Sequence, residues 1–199
     1  MWVVKLGGSL CNDVLLPEWL DLLAELGGGR VTVVSGGGAF ADEVRRAQGR
    51  WQFDDLAAHN MAVLAMAQSA YQFNALNPAL HLATRKSDIR RVLHGGRTAL
   101  WLPLEAQRDE PDAHTHWGNS ADSLALDLAR KLNAERLVVI KSCVIDPALN
   151  LAQLSAAGVL DTRFPSLAEG VPFPIDLLNK EDLARMRLLL IGEGRYLSA

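Results

Sequence analysis

Two glycine clusters could handle phosphate in this chain: Lys5-Leu6-Gly7-Gly8-Ser9 and, about one βα unit later, Ser35-Gly36-Gly37-Gly38. Each follows an apolar run, Val3-Val4 or Val33-Val34. Each therefore reads as a buried strand entering a glycine turn, where an open α/β sheet presents backbone N–H groups to an anion. One such turn is weak evidence. Two on neighbouring strands, one of them with a lysine, predict a site where two phosphorylated ligands meet end to end. Phosphoryl transfer demands little covalent work from side chains; it demands positioning and neutralisation of the moving charge. Asp122, in the first turn of a helix opened by Asn119-Ser120, supplies a carboxylate able to organise cations or a metal ion. Each feature also has an ordinary reading as a structural turn, a solvated strand end or a complement to a helix dipole. Their conjunction carries the argument.

The elements that must position these residues follow from hydrophobic periodicity. Trp2–Leu6 and Arg30–Val34 read as the first two strands, separated by a helix over Pro17–Leu26 that Gly27-Gly28-Gly29 ends. A helix over Phe40–Gln48 opens directly after the second glycine turn, and Asp54–Leu76 is a long helical stretch rich in alanine and methionine. Ala79–Thr84 and Thr98–Leu102 read as strands around a short helix over Asp88–Leu93 that Ser87 would cap. A polar loop over Glu105–His116 leads to the Asn119-Ser120 helix, which runs through Ala134, and Arg136–Lys141 is a buried strand. The stretch from Pro147 to Pro174 is broken by Gly and Pro; beyond it, Lys180–Met186 reads as helix and Arg187–Ile191 as a last strand. Strands alternating with helices, and apolar runs without polar alternation, predict an α/β fold with a mostly parallel sheet covered on both faces.

Composition narrows the function. At 199 residues, 49% hydrophobic and 22% charged, the chain is sized for a single domain. A net charge of -3 and a pI near 5.9 give no footprint for nucleic acid or for an anionic membrane surface. No apolar run is long enough for a membrane span, no secretory leader pattern opens the chain, and Cys11 and Cys143 lack metal or redox spacing, so a cytoplasmic location is expected. Only five of the 20 basic residues are lysines, which makes Lys5 and Lys141 at strand edges the conspicuous candidates for a flexible ammonium on a phosphate. Neither the Walker A pattern nor the dinucleotide fingerprint is present. His114-Thr115-His116 has metal-like spacing but no neighbouring Cys or Glu, so no metal-ligating residues are expected.

In their order, Lys5–Ser9, Ser35–Gly38, Asn119–Leu124 and Leu137–Ile140 resemble the motifs of the amino acid kinase family, over roughly residues 2 to 146. The resemblance implies a three-layer α/β/α sandwich, the amino acid kinase-like (carbamate kinase-like) fold, with an acceptor half over about 1–110 and a nucleotide half over about 111–199. It implies ATP and Mg²⁺, a small phosphorylated acceptor and a homo-oligomer. Carried over by position, Lys5, Gly7, Gly8 and Ser9 hold the transferring phosphates with Asn119 and Ser120. Gly36, Gly37 and Gly38 hold the acceptor phosphate, Asp122 orients the catalytic lysines, and Arg45 and His59 face the acceptor. The segments 36–45 and 54–62 are similar to short family members of methanofuran-type one-carbon cofactor synthesis, which phosphorylate an aminomethylfuran methyl phosphate. For such an amine-bearing acceptor, Asp54 or Asp55 is a candidate carboxylate, against the alternative of capping the helix.

The chain departs from the family pattern after the buried strand. Lys141-Ser142-Cys143-Val144-Ile145-Asp146-Pro147 lacks the glycine of a T-D-V-x-G turn, and the family's later glycine-rich segment with a second lysine is not recognisable in residues 158–167. Two readings follow: Lys141 supplies that charge from the strand end, or the chain is a non-catalytic binding or regulatory subunit. A kinase for another phosphate or carboxylate is the third.

Overall fold

Apolar runs that are buried on both faces set the centre of the sheet. In the computed structural model, which describes residues 1–111 and 121–192, six strands form one sheet. They are β1 (Trp2–Leu6), β2 (Val31–Ser35), β3 (Leu80–Ala83), β4 (Thr98–Trp101), β5 (Arg136–Lys141) and β6 (Ile175–Asn179). Their order is β3-β4-β2-β1-β5-β6 and every pairing is parallel. Eight helices accompany them among the described residues: α1 (Leu16–Leu26), α2 (Gly38–Trp51), α3 (Asp55–Leu76), α4 (Lys86–His94), α5 (Ala121–Leu132), α6 (Leu151–Ala156), α7 (Phe164–Ala168) and α8 (Leu183–Ile191).

Side chains alternate across the sheet with period two, and the two faces bury different partners. Val3, Leu137 and Val139 pack with Leu124 and Leu128 of α5 and with Phe164. Val4, Val138 and Ile140 pack on the opposite face with Trp19 and Leu23 of α1, Phe73 of α3, and Met186 and Leu190 of α8. Full burial of a side chain such as Phe73 contributes about 2–3 kcal/mol. Helix α3 places Val63 and Met66 in one core and Ala67, Ala70 and Phe73 in the other, which explains why it is apolar around much of its circumference.

The parity has a consequence for the site. Lys5 lies two residues after Val3, and Lys141 two after Val139, so both lysines project toward the face that α5 covers. Strand order also changes direction at β1, which has β2 on one side and β5 on the other. The crevice beyond the carboxyl ends of the strands at such a switch point is where open α/β sheets bind ligands.

The carboxyl-terminal reading needs correction. Arg187–Ile191 is the end of α8, and the last strand is Ile175–Asn179, which pairs with β5. A short apolar run such as Leu188-Leu189-Leu190-Ile191 has no period of its own to decide between helix and strand. Met186 and Leu190, one helical turn apart, are both buried against the core that α1 builds, and that packing decides for helix. Helix α4 likewise begins at Lys86 with Arg85 at its cap, two residues earlier than Ser87 would place it. Asp88 reaches back to accept the Arg85 N–H at 3.1 Å, as the third residue of a capping box does.

Candidate active site

Both glycine turns lie at the carboxyl ends of adjacent strands, and the sheet ladder runs into them. Gly7 N–H donates to the Ile140 carbonyl and Gly36 N–H to the Leu6 carbonyl, each at 2.9 Å. These two N–H groups therefore belong to the sheet ladder and hold the turns in place. The N–H groups left for a ligand belong to Gly8, to Ser9 and to the first turn of α2, which has no intrahelical carbonyls to serve and no side-chain cap. The turns also touch each other. A Cβ added to Gly36 would sit 2.4 Å from the Gly8 nitrogen, so backbone approach at this point requires glycine. Gly38 starts α2 at a φ of +52°, the left-handed region that glycine enters without strain.

Above the turns, three charged side chains meet. Lys5 Nζ lies 2.6 Å from Asp122 Oδ1 and Lys141 Nζ 2.5 Å from Asp122 Oδ2, so one carboxylate bridges two ammonium groups. Lys5 is 4% exposed and Asp122 1%. Burial alone would raise the Asp122 pKa; the charges of Lys5 and Lys141 and their hydrogen bonds override it and hold the carboxyl below its ordinary value. Burial, followed by the neighbouring Lys5 charge, lowers the Lys141 pKa, while Asp122 and Asp161 oppose that change. Within this triad two ammoniums share one buried carboxylate beside the glycine turns, and Arg45 and Asp161 line the same cavity. That is an arrangement suited to a highly charged anion.

The cavity in front of this cluster has a volume of about 330 Å³, the low end of the range for small-molecule sites. Lys5, Gly8, Ser9, Gly36, Gly37, Gly38, Arg45, His59, Asp122 and Lys141 of the expected set line it. His59 is buried on α3, with Nε2 3.0 Å from the Ala106 carbonyl. Arg45 on α2 pairs with Asp42 at 2.9 Å, and both reach the rim. Asp55 does not line this cavity; it accepts from Gln48 Nε2 at 2.9 Å beside a separate groove, and Asp54 caps α3 by accepting Ala57 N–H at 2.8 Å. Asn119 and Ser120, like His114 and His116, lie outside the described residues.

Asp161, Asn12 and Asp42, none of them among the expected site residues, also line the cavity. Asp42 follows the second glycine turn and Asn12 the first, so proximity in sequence could have pointed to both. Asp161 comes from the connection between α6 and α7, where no periodic signal exists. Among the described residues no group of three or more His, Cys, Asp or Glu could cage a metal ion, and Asp122 is committed to its two lysines.

Comparison with known proteins agrees with this geometry. The amino acid kinase family matches residues 1–143, and the chain belongs to that family, a family of phosphotransferases. A [5-(aminomethyl)furan-3-yl]methyl phosphate kinase from Methanocaldococcus jannaschii is 24% identical over 140 residues, or 70% of this chain. The match spans 64% of that relative's length. Among solved structures, the fold is similar to UMP kinase from Bacillus anthracis, with a TM-score of 0.70 at 16% identity over 97% of this chain and 92% of the other. An isopentenyl phosphate kinase gives 0.66 at 13% identity over 96% of both chains. These two likenesses show the fold: a three-layer sandwich of the amino acid kinase type.

Proposed function

We propose that this protein is an ATP-dependent kinase that transfers the γ-phosphoryl group to a phosphorylated small molecule, giving a diphosphate and ADP. The observation that carries the reading is the Lys5–Asp122–Lys141 cluster, placed where the two glycine turns meet. In this reading the chain is one domain with two functional halves. Gly7, Gly8 and Ser9 shape the turn that follows the transferring phosphates, with N–H groups offered by Gly8 and Ser9. The Gly36–Gly38 turn and the start of α2 receive the acceptor phosphate, with Arg45 and His59 beside it. Lys5 and Lys141 neutralise the equatorial oxygens as charge builds there, and Asp122 fixes the separation and direction of both ammoniums.

Mg²⁺ fits this donor set as a companion of the nucleotide, because it is commonly held by substrate phosphates and water with few protein ligands. There it would neutralise phosphate charge. Likeness to the furan phosphate kinase supports an aminomethylfuran methyl phosphate as the acceptor. Exposed Met61, Leu64 and Tyr71 on α3 support a homo-oligomer, and a cytoplasmic location fits a soluble kinase of this size.

The test is a coupled ADP-release assay with Mg-ATP and three acceptors: aminomethylfuran methyl phosphate, UMP and isopentenyl phosphate. Turnover of the furan phosphate at the highest kcat/KM supports the full reading; preference for another acceptor keeps the kinase and replaces the substrate. ATP at 100 times its dissociation constant should stabilise the chain by about 2.7 kcal/mol. Absence of both turnover and a thermal shift at millimolar Mg-ATP would sink the reading in favour of a non-catalytic binding subunit.

A further inference from the structure

Asp161 stands on a short connection between α6 and α7, far from both glycine motifs in sequence, yet it lines the same cavity as Lys5, Asp122 and Lys141. Its Oδ2 accepts the backbone N–H of Ser123 at 3.0 Å. Ser123 is in the first turn of α5, where N–H groups have no intrahelical carbonyl, and it directly follows Asp122. The carboxylate thus grips the turn that aims Asp122 at the two lysines, and a carboxylate at a helix N-terminus also complements the dipole there. Its neighbourhood is held in place in turn: Ser155 Oγ donates to the Asp161 carbonyl at 3.0 Å, and Asp161 O accepts the N–H of Phe164, itself fully buried.

We propose that Asp161 is a positioning residue for phosphoryl transfer, which fixes the first turn of α5 and places a second carboxylate on the cavity that holds Lys5, Asp122 and Lys141. This rests on the kinase reading above for its consequence in turnover, on the hydrogen bond to Ser123 for the grip on α5, and on the shared cavity for the charge brought near Lys141. The charged groups that act on Lys141 are Lys5 from β1, Asp122 from α5 and Asp161 from the α6–α7 connection. Lys5 and burial favour loss of the Lys141 proton, whereas Asp122 and Asp161 favour its retention. Among the described residues Asp122 and Asp161 are the retaining charges, and removing one moves the balance toward the neutral amine. A neutral Lys141 would no longer offset phosphate charge.

The two roles separate by substitution. Asp161→Asn keeps an oxygen that can accept the Ser123 N–H but removes the charge; Asp161→Ala removes both; Asp161→Glu keeps the charge. The ¹³Cε resonance of Lys141, followed by NMR against pH in the apo chain, reads the charge role without any substrate. The expected result is a lower titration midpoint for Lys141 in Asp161→Asn, a thermal stability lowered only slightly by loss of a charge at the start of α5, and a midpoint restored toward wild type in Asp161→Glu. In the kinase assay the alkaline limb of kcat should move to lower pH in Asp161→Asn with the KM for the acceptor little changed. Asp161→Ala, which also loosens the turn that aims Asp122, should lower kcat by about 100-fold. A wild-type Lys141 midpoint and pH profile in Asp161→Asn would overturn the proposal and leave Asp161 as a helix cap. Absence of wild-type turnover would instead refute the kinase reading, while the NMR titration would still decide the charge role.

Discussion

The two ends of the cavity are built from different materials. At the β1–β2 end the backbone forms the site: Gly8 and Gly36 touch through main-chain atoms, and the sheet ladder itself fixes Gly7 and Gly36. At the β5 end side chains form it: Lys141 reaches Asp122, Asp161 grips α5, and no glycine turn follows the strand. A backbone cradle tolerates almost no added volume but carries little charge of its own. A side-chain cradle tolerates volume changes and depends on charge balance. The contrast explains how the second end can lack the family's glycine pattern while the charged cluster is complete.

Substitutions can break that comparison, beginning with the residue common to both ends. Asp122→Ala strands two ammonium groups near each other in a buried site and should destabilise the chain by about 3–5 kcal/mol, with loss of turnover. A urea titration that gave wild-type stability would refute the buried bridge. Lys5→Met should leave Asp122 paired with Lys141 and the chain folded, while turnover falls by about 100- to 1,000-fold, as removal of a preorganised donor does elsewhere. Gly36→Ala probes the backbone end; the added Cβ meets the Gly8 nitrogen, and overpacking of this kind costs about 1–3 kcal/mol. A fall in melting temperature together with weaker acceptor binding is the expected outcome. Ser142→Ala removes the hydroxyl contact with Ser9 that joins the two ends at the surface, and should change stability by less than about 0.5 kcal/mol.

Acid sharpens the comparison from another side. The Asp122 pKa is depressed in the folded chain, so its contribution to stability is fully present above the unfolded value of about 3.9 and is lost as pH falls through the folded value. Lys141 acts in the opposite region: between its lowered folded pKa and about 10.4 the unfolded chain holds more protons, so its own contribution to stability rises with pH. Turnover, which on the proposed mechanism uses the ammonium, should fall over that same interval. Denaturation and activity profiles measured together would show stability and activity parting there; parallel decline would argue against Lys141 as the titrating group.

Much of the backbone-built end was legible in the sequence. Lys5, Gly8 and Gly36–Gly38 announce themselves because glycine after an apolar run has few other uses, and a strand end fixes where the lysine starts. The first five strands were legible for a related reason: buried parallel strands are short uninterrupted apolar runs. The edge strand Ile175–Asn179 and the helical end at Leu183–Ile191 were not, since partners elsewhere in the chain decide both. Asp55 illustrates the opposite error. Its type and its helix start suited an amine ligand, but the direction of α3 carries it to a different groove.

By itself the sequence determined the strand-and-turn frame and the two glycine cradles. Those are local properties, set by steric freedom at glycine and the two-residue repeat of a strand. The resemblance places Asp122 with the catalytic lysines; only the tertiary structure gave the bridging geometry and brought Asp161 to the same cavity. Packing of α5 on the sheet brings in the first carboxylate, and the α6–α7 connection brings in the second. Long-range packing leaves no periodic mark near either residue, because the contacts that place a carboxylate belong to the residues around it.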